Sequence, residues 1–225
     1  MNAASVLDAG ARNLIENTIA RVEKDTSAEI VCAIATESGR YDRAESLLGL
    51  SMAILFLAVA DLLFDSSADQ GWSAGQGMLL GMQSAAVAAG FVLGSWLAST
   101  VHSLRRPLVP ARELAEEVAR AADHVFALAS VGMTSGRTGV LVYVSLFERR
   151  VVVLADRRTY DVLGADGVVA LRDLALERLR AGDVAGAFTA CVEAAGERLK
   201  TRLPAAAAAN PDEISNKVLV FPGRP

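Results

Sequence analysis

The hydrophobic pattern divides the chain into two polar parts separated by a strongly apolar middle. Ser46–Ala60 carries no formal charge, and the stretch from Gln70 to Val101 contains no Asp, Glu, Lys or Arg. A helix needs about 20 mostly apolar residues to cross the hydrocarbon core of a bilayer. The pattern therefore predicts a transmembrane hairpin over residues 44–104, with spans near 46–64 and 76–99. The alternative is a pair of helices buried in a soluble core.

The charges around this hairpin predict its orientation. The turn Asp65–Gly75 contains aspartates but no Lys or Arg, whereas both outer flanks carry arginines. Because positive residues stay on the cytoplasmic side, both chain ends are expected to be cytoplasmic, in a bacterial-type inner membrane. Trp72 and Trp96 lie where interfacial anchors are expected. The flanking arginines are Arg40, Arg43, Arg105, Arg106 and Arg112.

The polar parts have the periodicity of a small α/β fold. Glu29–Ala35 is a short β-branched run, typical of a strand buried on both faces. A helix then leads to a second apolar strand, and such a crossover requires the two strands to be parallel. We therefore predict an α/β three-layer sandwich with a small mixed sheet, interrupted by the transmembrane hairpin. The predicted helices are Ala11–Lys24, the crossover helix Ala111–Ser130, Asp166–Arg180 and Asp183–Arg202. The second strand is predicted at Gly139–Leu146 and the third at Val151–Ala155.

The two polar parts are expected to fold together. Residues 1–43 and 105–203 would form one cytoplasmic α/β domain, since both emerge on the same face of the membrane. Residues 204–225 form a C-terminal tail, whose apolar stretch Val218–Phe221 either docks on the domain or lies free.

Composition excludes several classes of function. A formal charge of −4 over 225 residues argues against a nucleic-acid partner, which would need clustered Lys and Arg. With two Cys and two His, neither a disulfide framework nor a common zinc site is expected. Cys32 and Cys191 fall on apolar faces and are expected to be buried core residues.

The segments Asp25–Val31, Arg137–Ser145 and Arg149–Asp156 occur in this order along the chain. Together they resemble the TPM domain, also called the TPM phosphatase family. They are the turn into the first strand, the second strand, and the turn with the third strand. The resemblance implies a compact α/β/α domain of a membrane-associated protein, with acid phosphatase activity and divalent-metal binding in some members and auxiliary roles in others.

The expected function is that of a membrane-anchored binding or auxiliary protein, whose TPM-like domain recognises a partner protein or the membrane surface. The alternative is a weak divalent-metal-dependent phosphohydrolase, and a third possibility is transport through Asp61 in the first span. No catalytic or metal-binding residue of the family can be transferred to this chain. No cofactor is expected, although the resemblance allows a divalent cation.

Two groups of polar residues are candidate sites. Arg105, Arg106, Arg149 and Arg150 are candidates for contact with lipid headgroups or a partner. If the second strand is parallel to the first, the turn Phe147–Arg150 lies beside Thr36–Asp42 and faces the membrane. The alternative is a solvated basic rim. Asp156, Arg157 and Asp161 form a polar cluster at the opposite end of the sheet, where a solvated loop is the competing interpretation.

Small residues also form rows along the second span. Gly77 and Gly81 continue into Ala85 and Ala89, and a second row contains Gly90 and Gly94. Such rows let helices approach closely. They are explained either by packing against the first span or by self-association with another copy.

Overall fold

The computed structural model describes residues 2–64, 74–205 and 213–225. It divides into two compact units: Met1–Gly39 with Arg112–Pro225, and Arg40–Ala111. The expectations for most of the turn Asp65–Gly75, including Trp72, lie outside the described residues. Each unit is described separately below.

The first unit contains the predicted α/β fold. Its sheet has the order β3-β2-β1-β4, with β1 parallel to β2 and to β4, and β3 antiparallel to β2. The predicted crossover and its parallel strand pair are therefore confirmed. The elements of this unit are α1 (Ala3–Val6), α2 (Ala9–Val22), β1 (Glu29–Ala35), α6 (Ala111–Leu128, from Arg112 onward), a 3₁₀ turn (Val131–Met133), β2 (Gly139–Ser145), β3 (Arg150–Ala155), α7 (Arg157–Arg180), α8 (Val184–Leu199) and β4 (Leu219–Phe221).

Helices cover both faces of this sheet. All seven residues of β1 and all seven of β2 are buried, as expected for strands without polar alternation. Ile30, Cys32 and Ile34 face a core that includes residues of α2, α7 and α8. Val31 and Ala33 face a smaller core built with α6. This arrangement agrees with the expected mixed α/β sandwich.

The segment after β3 differs from its loop interpretation. Residues from Arg157 onward are helical and form the first part of α7. Asp156 caps this helix by accepting the backbone N–H of Arg157 at 2.6 Å. The backbone of Gly164 is non-helical, with a φ of 65°, so two helical segments meet at a kink there, and the second segment contains the predicted helix Asp166–Arg180. The hydrophobic periodicity of this segment is weak. The sequence therefore does not reveal that a helix capped by Asp156 directly follows β3.

The C-terminal residues complete the sheet. Leu219–Phe221 pairs with Ala33–Ala35, so the tail docks as β4. Hydrogen bonds also attach the segment that precedes β4 to the rest of this unit. Glu16 Oε1, in α2, accepts the N–H of Val218 at 3.1 Å. Glu213 in turn accepts the hydroxyl of Ser135 at 2.6 Å. The edge of β1 is thus covered by the chain itself.

The second unit contains the two long apolar helices, α3 (Asp42–Phe64) and α4 (Ala74–Thr100), followed by α5 (His102–Arg105) and a 3₁₀ turn (Arg106–Leu108). Both long helices are long and apolar enough to cross a membrane. Only 17% and 11% of their apolar stretches are buried, whereas helices in a soluble core would be mostly buried. This exposure favours the membrane interpretation over a buried pair.

Close packing in the second unit explains one row of small residues. A Cβ on Gly90 would lie 2.7 Å from the Met52 carbonyl oxygen, and one on Gly94 would lie 2.6 Å from that of Leu48. These two glycines therefore let α3 and α4 touch backbone to backbone. Gly81 has open space around its Cβ position. The side-chain surroundings of Gly77 lie outside the described residues.

Candidate functional site

The carboxyl ends of β1 and β2 hold a cluster of hydroxyl groups around one carboxylate. Glu148 Oε1 accepts the backbone N–H of Ser38 at 2.8 Å, and its Oε2 accepts the hydroxyl of Ser145. The Ser38 hydroxyl donates to Ser145 Oγ at 2.8 Å and lies 2.9 Å from the Tyr143 hydroxyl. Parallel α/β sheets bind ligands at this end of their strands. We call these four residues the strand-end cluster.

The strand-end cluster is closed to solvent. Ser145 and Tyr143 are fully buried, and Glu148 is 2% exposed. Burial raises the pKa of Tyr143 to about 12, while its hydrogen bond with Ser38 acts in the opposite direction and lowers the pKa. The phenol is therefore neutral at physiological pH. The cluster thus joins the end of β2 and the β2–β3 turn to the loop that follows β1.

The backbone conformation of the β2–β3 turn places Glu148 next to the loop that follows β1. Leu146–Arg149 forms the tight turn of the β2–β3 hairpin, in which the Arg149 N–H donates to the Leu146 carbonyl at 3.3 Å. Arg149 has a φ of 53°, the left-handed conformation with which such turns commonly close. Two backbone bonds fasten the turn to the end of β1, since Leu146 and Phe147 donate to Ala35 and Thr36. The predicted neighbourhood of this turn and the loop from Thr36 is confirmed as far as Ser38.

Sequence reasoning placed Ser145 at this end but missed Ser38, Tyr143 and Glu148. Ser145 alone has no nucleophile-elbow context. A signal was present nonetheless: Glu148 lies in a short turn between two buried strands, where a carboxylate needs partners for its oxygens. Those partners come from two distant segments, which periodicity cannot bring together.

The candidate contact arginines lie in different environments. Arg149 is exposed and Arg150, which begins β3, is partly buried. In the second unit, Arg105 is 5% exposed, donates to Glu45 Oε1 at 2.7 Å and lies over the Tyr41 ring at 5.4 Å. Arg106 is partly buried in the adjoining 3₁₀ turn. Arg149 is thus the most accessible of the four.

The polar cluster Asp156, Arg157 and Asp161 lies at the opposite end of the sheet, as expected. The Asp156 N–H donates to the carbonyl of Gly139, the first residue of β2, at 2.8 Å. Arg157 and Asp161 are exposed on the first turns of α7. In this cluster Asp156 acts as a helix cap, a structural role.

Asp61 has a partner within the hairpin. The Gln83 side-chain amide of α4 donates to Asp61 Oδ1 at 3.3 Å. This bond offsets part of the cost of placing a carboxylate near the end of an apolar helix.

Among the described residues, no group of three or more His, Cys, Asp or Glu side chains is placed to hold a metal ion. Within that part of the chain, Glu148 uses both oxygens inside the strand-end cluster. The residues of the cluster therefore do not match the site that a hard divalent cation requires.

Comparison with known proteins supports the fold. No protein-family model matches the chain, and no curated protein matches it. The structure is similar to the NMR structure of BA42 protein from the psychrophilic bacterium Bizionia argentinensis. The TM-score is 0.55 at 17% identity, over 95% of this chain and 94% of that chain. BA42 is a TPM-domain-like protein, so this chain shares its fold with one such domain.

Proposed function

We propose that this chain is a membrane-anchored binding or auxiliary protein, whose TPM-like domain recognises a partner protein. In this proposal α3 and α4 cross the inner membrane, and both chain ends are cytoplasmic. The arginines that flank the hairpin and the two apolar helices support this orientation.

The observation that carries the proposal is the closed strand-end cluster. The place where an α/β enzyme would bind its substrate is filled by Ser38, Tyr143, Ser145 and Glu148. Their hydrogen bonds hold the loop that precedes the hairpin against the β2–β3 turn. Recognition of anionic headgroups by Arg149 and its neighbours is the competing form of the same role.

Two measurements test this proposal on the full chain. The first is affinity purification from native membranes after mild cross-linking, with quantitative mass spectrometry against an unrelated two-span protein. We expect a protein partner in near-stoichiometric amounts, and its absence would overturn partner recognition.

The second measurement is phosphate release from a generic phosphomonoester, with and without Mg²⁺, Mn²⁺ or Ca²⁺. Turnover that scales with enzyme and metal would favour the phosphohydrolase alternative.

Lipid recognition is tested separately with the full chain in nanodiscs. Nanodiscs of zwitterionic lipid and of partly anionic lipid are compared by hydrogen exchange of the first unit. Protection around Arg149 only with anionic lipid would favour headgroup recognition. Equal exchange in both would leave a partner protein as the recognised species.

A further inference from the structure

Arg105 and Arg106, which follow the second apolar helix, differ in their surroundings. Arg105 donates to Glu45 Oε1 at 2.7 Å and lies over the Tyr41 ring, so its charge is compensated within the unit. Arg106 is partly exposed, while its Nε is buried and has no acceptor among the described residues. The base of its guanidinium group is thus fixed by packing, and in the described part of the chain no carboxylate neutralises its charge.

Each acidic side chain that the structure describes in this unit has a partner other than Arg106. The pairs are Asp42 with Arg40, Glu45 with Arg105, and Asp61 with the Gln83 amide. We call residues 40–46 and 104–108 the base of the hairpin. This base contains four arginines and two carboxylates, a formal charge of +2. An anion from outside the chain would therefore meet a net positive charge there.

Exposed apolar side chains lie on both sides of Arg106 along the chain. Leu104 is 45% exposed and Leu108 is 40% exposed, in the short helical segments that follow α4. Trp96, one turn before the end of α4, is 58% exposed. Tryptophan marks the headgroup level at the end of a membrane-spanning helix, and apolar side chains of an adjoining segment enter the acyl boundary. With α4 across the bilayer, Arg106 would lie at the level of the lipid phosphates.

We propose that Arg106 binds the phosphate of an anionic phospholipid, whose acyl chains contact Leu104 and Leu108. The inference rests on the proposed membrane anchoring. It adds a lipid site on the hairpin that is separate from the surface with which the domain recognises a partner. The planar guanidinium group presents paired donors that match two phosphate oxygens. The leucines supply an apolar contact that a soluble phosphate compound cannot make.

The charge at the base of the hairpin favours an anionic headgroup over a zwitterionic one. Both kinds of lipid carry a phosphate, but a zwitterionic headgroup also brings a cationic group close to this net positive charge. The resulting repulsion offsets part of the attraction between the phosphate and Arg106. Phosphatidylglycerol has no such cationic group. We therefore expect a preference of at least about five-fold for the anionic lipid.

The alternative is that Arg106 only helps to orient the hairpin. The positive-inside preference depends on charge, so Lys would serve at this position as well as Arg. A phosphate held by paired donors from one fixed group requires Arg, because the Lys ammonium group is a point charge on a flexible stem. Arg106→Lys therefore distinguishes a lipid site from a charge that only sets the orientation.

The test measures lipid retention by the full chain in non-ionic detergent, with native mass spectrometry. The probes are phosphatidylglycerol and phosphatidylcholine with identical acyl chains, added in equimolar amounts. We expect phosphatidylglycerol to be retained at least about five-fold better. Equal retention of the two lipids would overturn the proposal. Displacement of the lipid by an equimolar amount of glycerol 3-phosphate would assign Arg106 to a soluble phosphate, and this outcome would overturn it as well.

Variants of the chain locate the site. Arg106→Gln should remove the preference, and Arg106→Lys should reduce it at least about two-fold. The matched control is Arg40→Gln, which removes the same charge from an exposed pair at the base of the hairpin. An equal loss with Arg40→Gln, or an unchanged preference with Arg106→Gln, would contradict the assignment. A loss with Arg149→Gln instead would assign headgroup recognition to the first unit and overturn the site on the hairpin.

The melting temperature separates lipid binding from the stability of the variants. Phosphatidylglycerol should raise the melting temperature of the unaltered chain more than phosphatidylcholine does. Arg106→Gln should abolish that difference even where its lipid-free melting temperature is lower, and a persisting difference would speak against the site. Leu104→Ser with Leu108→Ser should weaken retention of both lipids. Leu128→Ser, at an exposed position of the first unit, should not.

Carbonate extraction of native membranes separates this inference from the proposed function. If the full chain is released, membrane anchoring fails, and the lipid site fails with it. If the chain stays in the membrane but shows no lipid preference, only the lipid site is wrong, and recognition of a partner protein is unaffected.

Discussion

The carboxylate of Glu148 accepts the backbone N–H of Ser38 at 2.8 Å, across 110 residues of sequence. The bond joins the β2–β3 turn to the loop from which the hairpin begins. Because the bond is buried, water cannot replace the Glu148 carboxylate if it is removed. The Ser38 N–H would then have no acceptor.

Replacing Glu148 should therefore destabilise the first unit. Glu148→Ala leaves the Ser38 N–H and the Ser145 hydroxyl without this acceptor, at a cost of about 2–4 kcal/mol. Glu148→Gln keeps one acceptor oxygen and should cost less. The measurement is denaturant unfolding of the full chain in detergent micelles. Glu197→Ala, which removes only an exposed pair with Lys200, serves as the control; equal losses in both would contradict the role of the cluster.

The glycines of α4 should differ sharply in what they tolerate. Gly90→Val and Gly94→Val place side chains against the backbone of α3 and should destabilise the hairpin by about 1–3 kcal/mol. Gly81→Val has open space and should leave stability nearly unchanged. Thermal unfolding in detergent measures both effects. If Gly81→Val proves as harmful as the other two, Gly81 packs against a second copy, as the self-association hypothesis requires.

The ion pair between Arg105 and Glu45 should stabilise the second unit. The Arg105 side chain is 6% exposed and that of Glu45 is 25% exposed. Removing one partner of a buried pair leaves an uncompensated charge, which typically costs about 3–5 kcal/mol, and less where water reaches the pair. Glu45→Gln should therefore lower the melting temperature in micelles, whereas Asp42→Asn, in an exposed pair with Arg40, should not.

High pH should unfold the first unit early. Burial raises the pKa of Cys191 to about 12 and that of Tyr143 to about 12, and it raises the pKa of Cys32 as well. The unfolded chain releases these protons from about pH 9 for thiols and pH 10 for the phenol. The contribution of these groups to the free energy of unfolding is therefore fully present below about pH 9, and it is lost as the pH rises toward about 12.

Unfolding free energies measured across that range should therefore fall with pH. Tyr143→Phe removes one titrating group and should flatten the fall, after correction for its lost hydrogen bonds. A thiol reagent should modify Cys32 and Cys191 only after unfolding, since both are buried. Rapid labelling of the native chain would contradict their place in the core.

Arg149 should tolerate glycine but reject a β-branched residue. Its φ of 53° costs an ordinary residue about 1–2 kcal/mol, a cost that glycine does not have. Arg149→Gly should match or exceed the stability of the unaltered chain, whereas Arg149→Val should lose about 1–2 kcal/mol or more. Chemical denaturation compares the two, and equal values would contradict the left-handed turn.

Local patterns in the sequence account for most of the fold. The unbroken apolar runs of β1 and β2 indicate strands buried on both faces, and the charge-free stretches indicate two long apolar helices. Chain order then makes β1 and β2 parallel, since a helix has to connect them. These features depend on neighbours in the sequence, so periodicity can reveal them.

Tertiary structure decided the rest, because the partners involved are far apart in the chain. Glu148 meets Ser38 only once β1 and β2 are aligned, and Gly94 meets Leu48 only once α3 and α4 are packed. The tail becomes β4 because β1 offers an edge, and no pattern within Val218–Phe221 specifies that pairing. The sequence by itself determined which segments are helices, strands and apolar spans. The packed fold decided which carboxylate is buried and which segment covers the edge of β1.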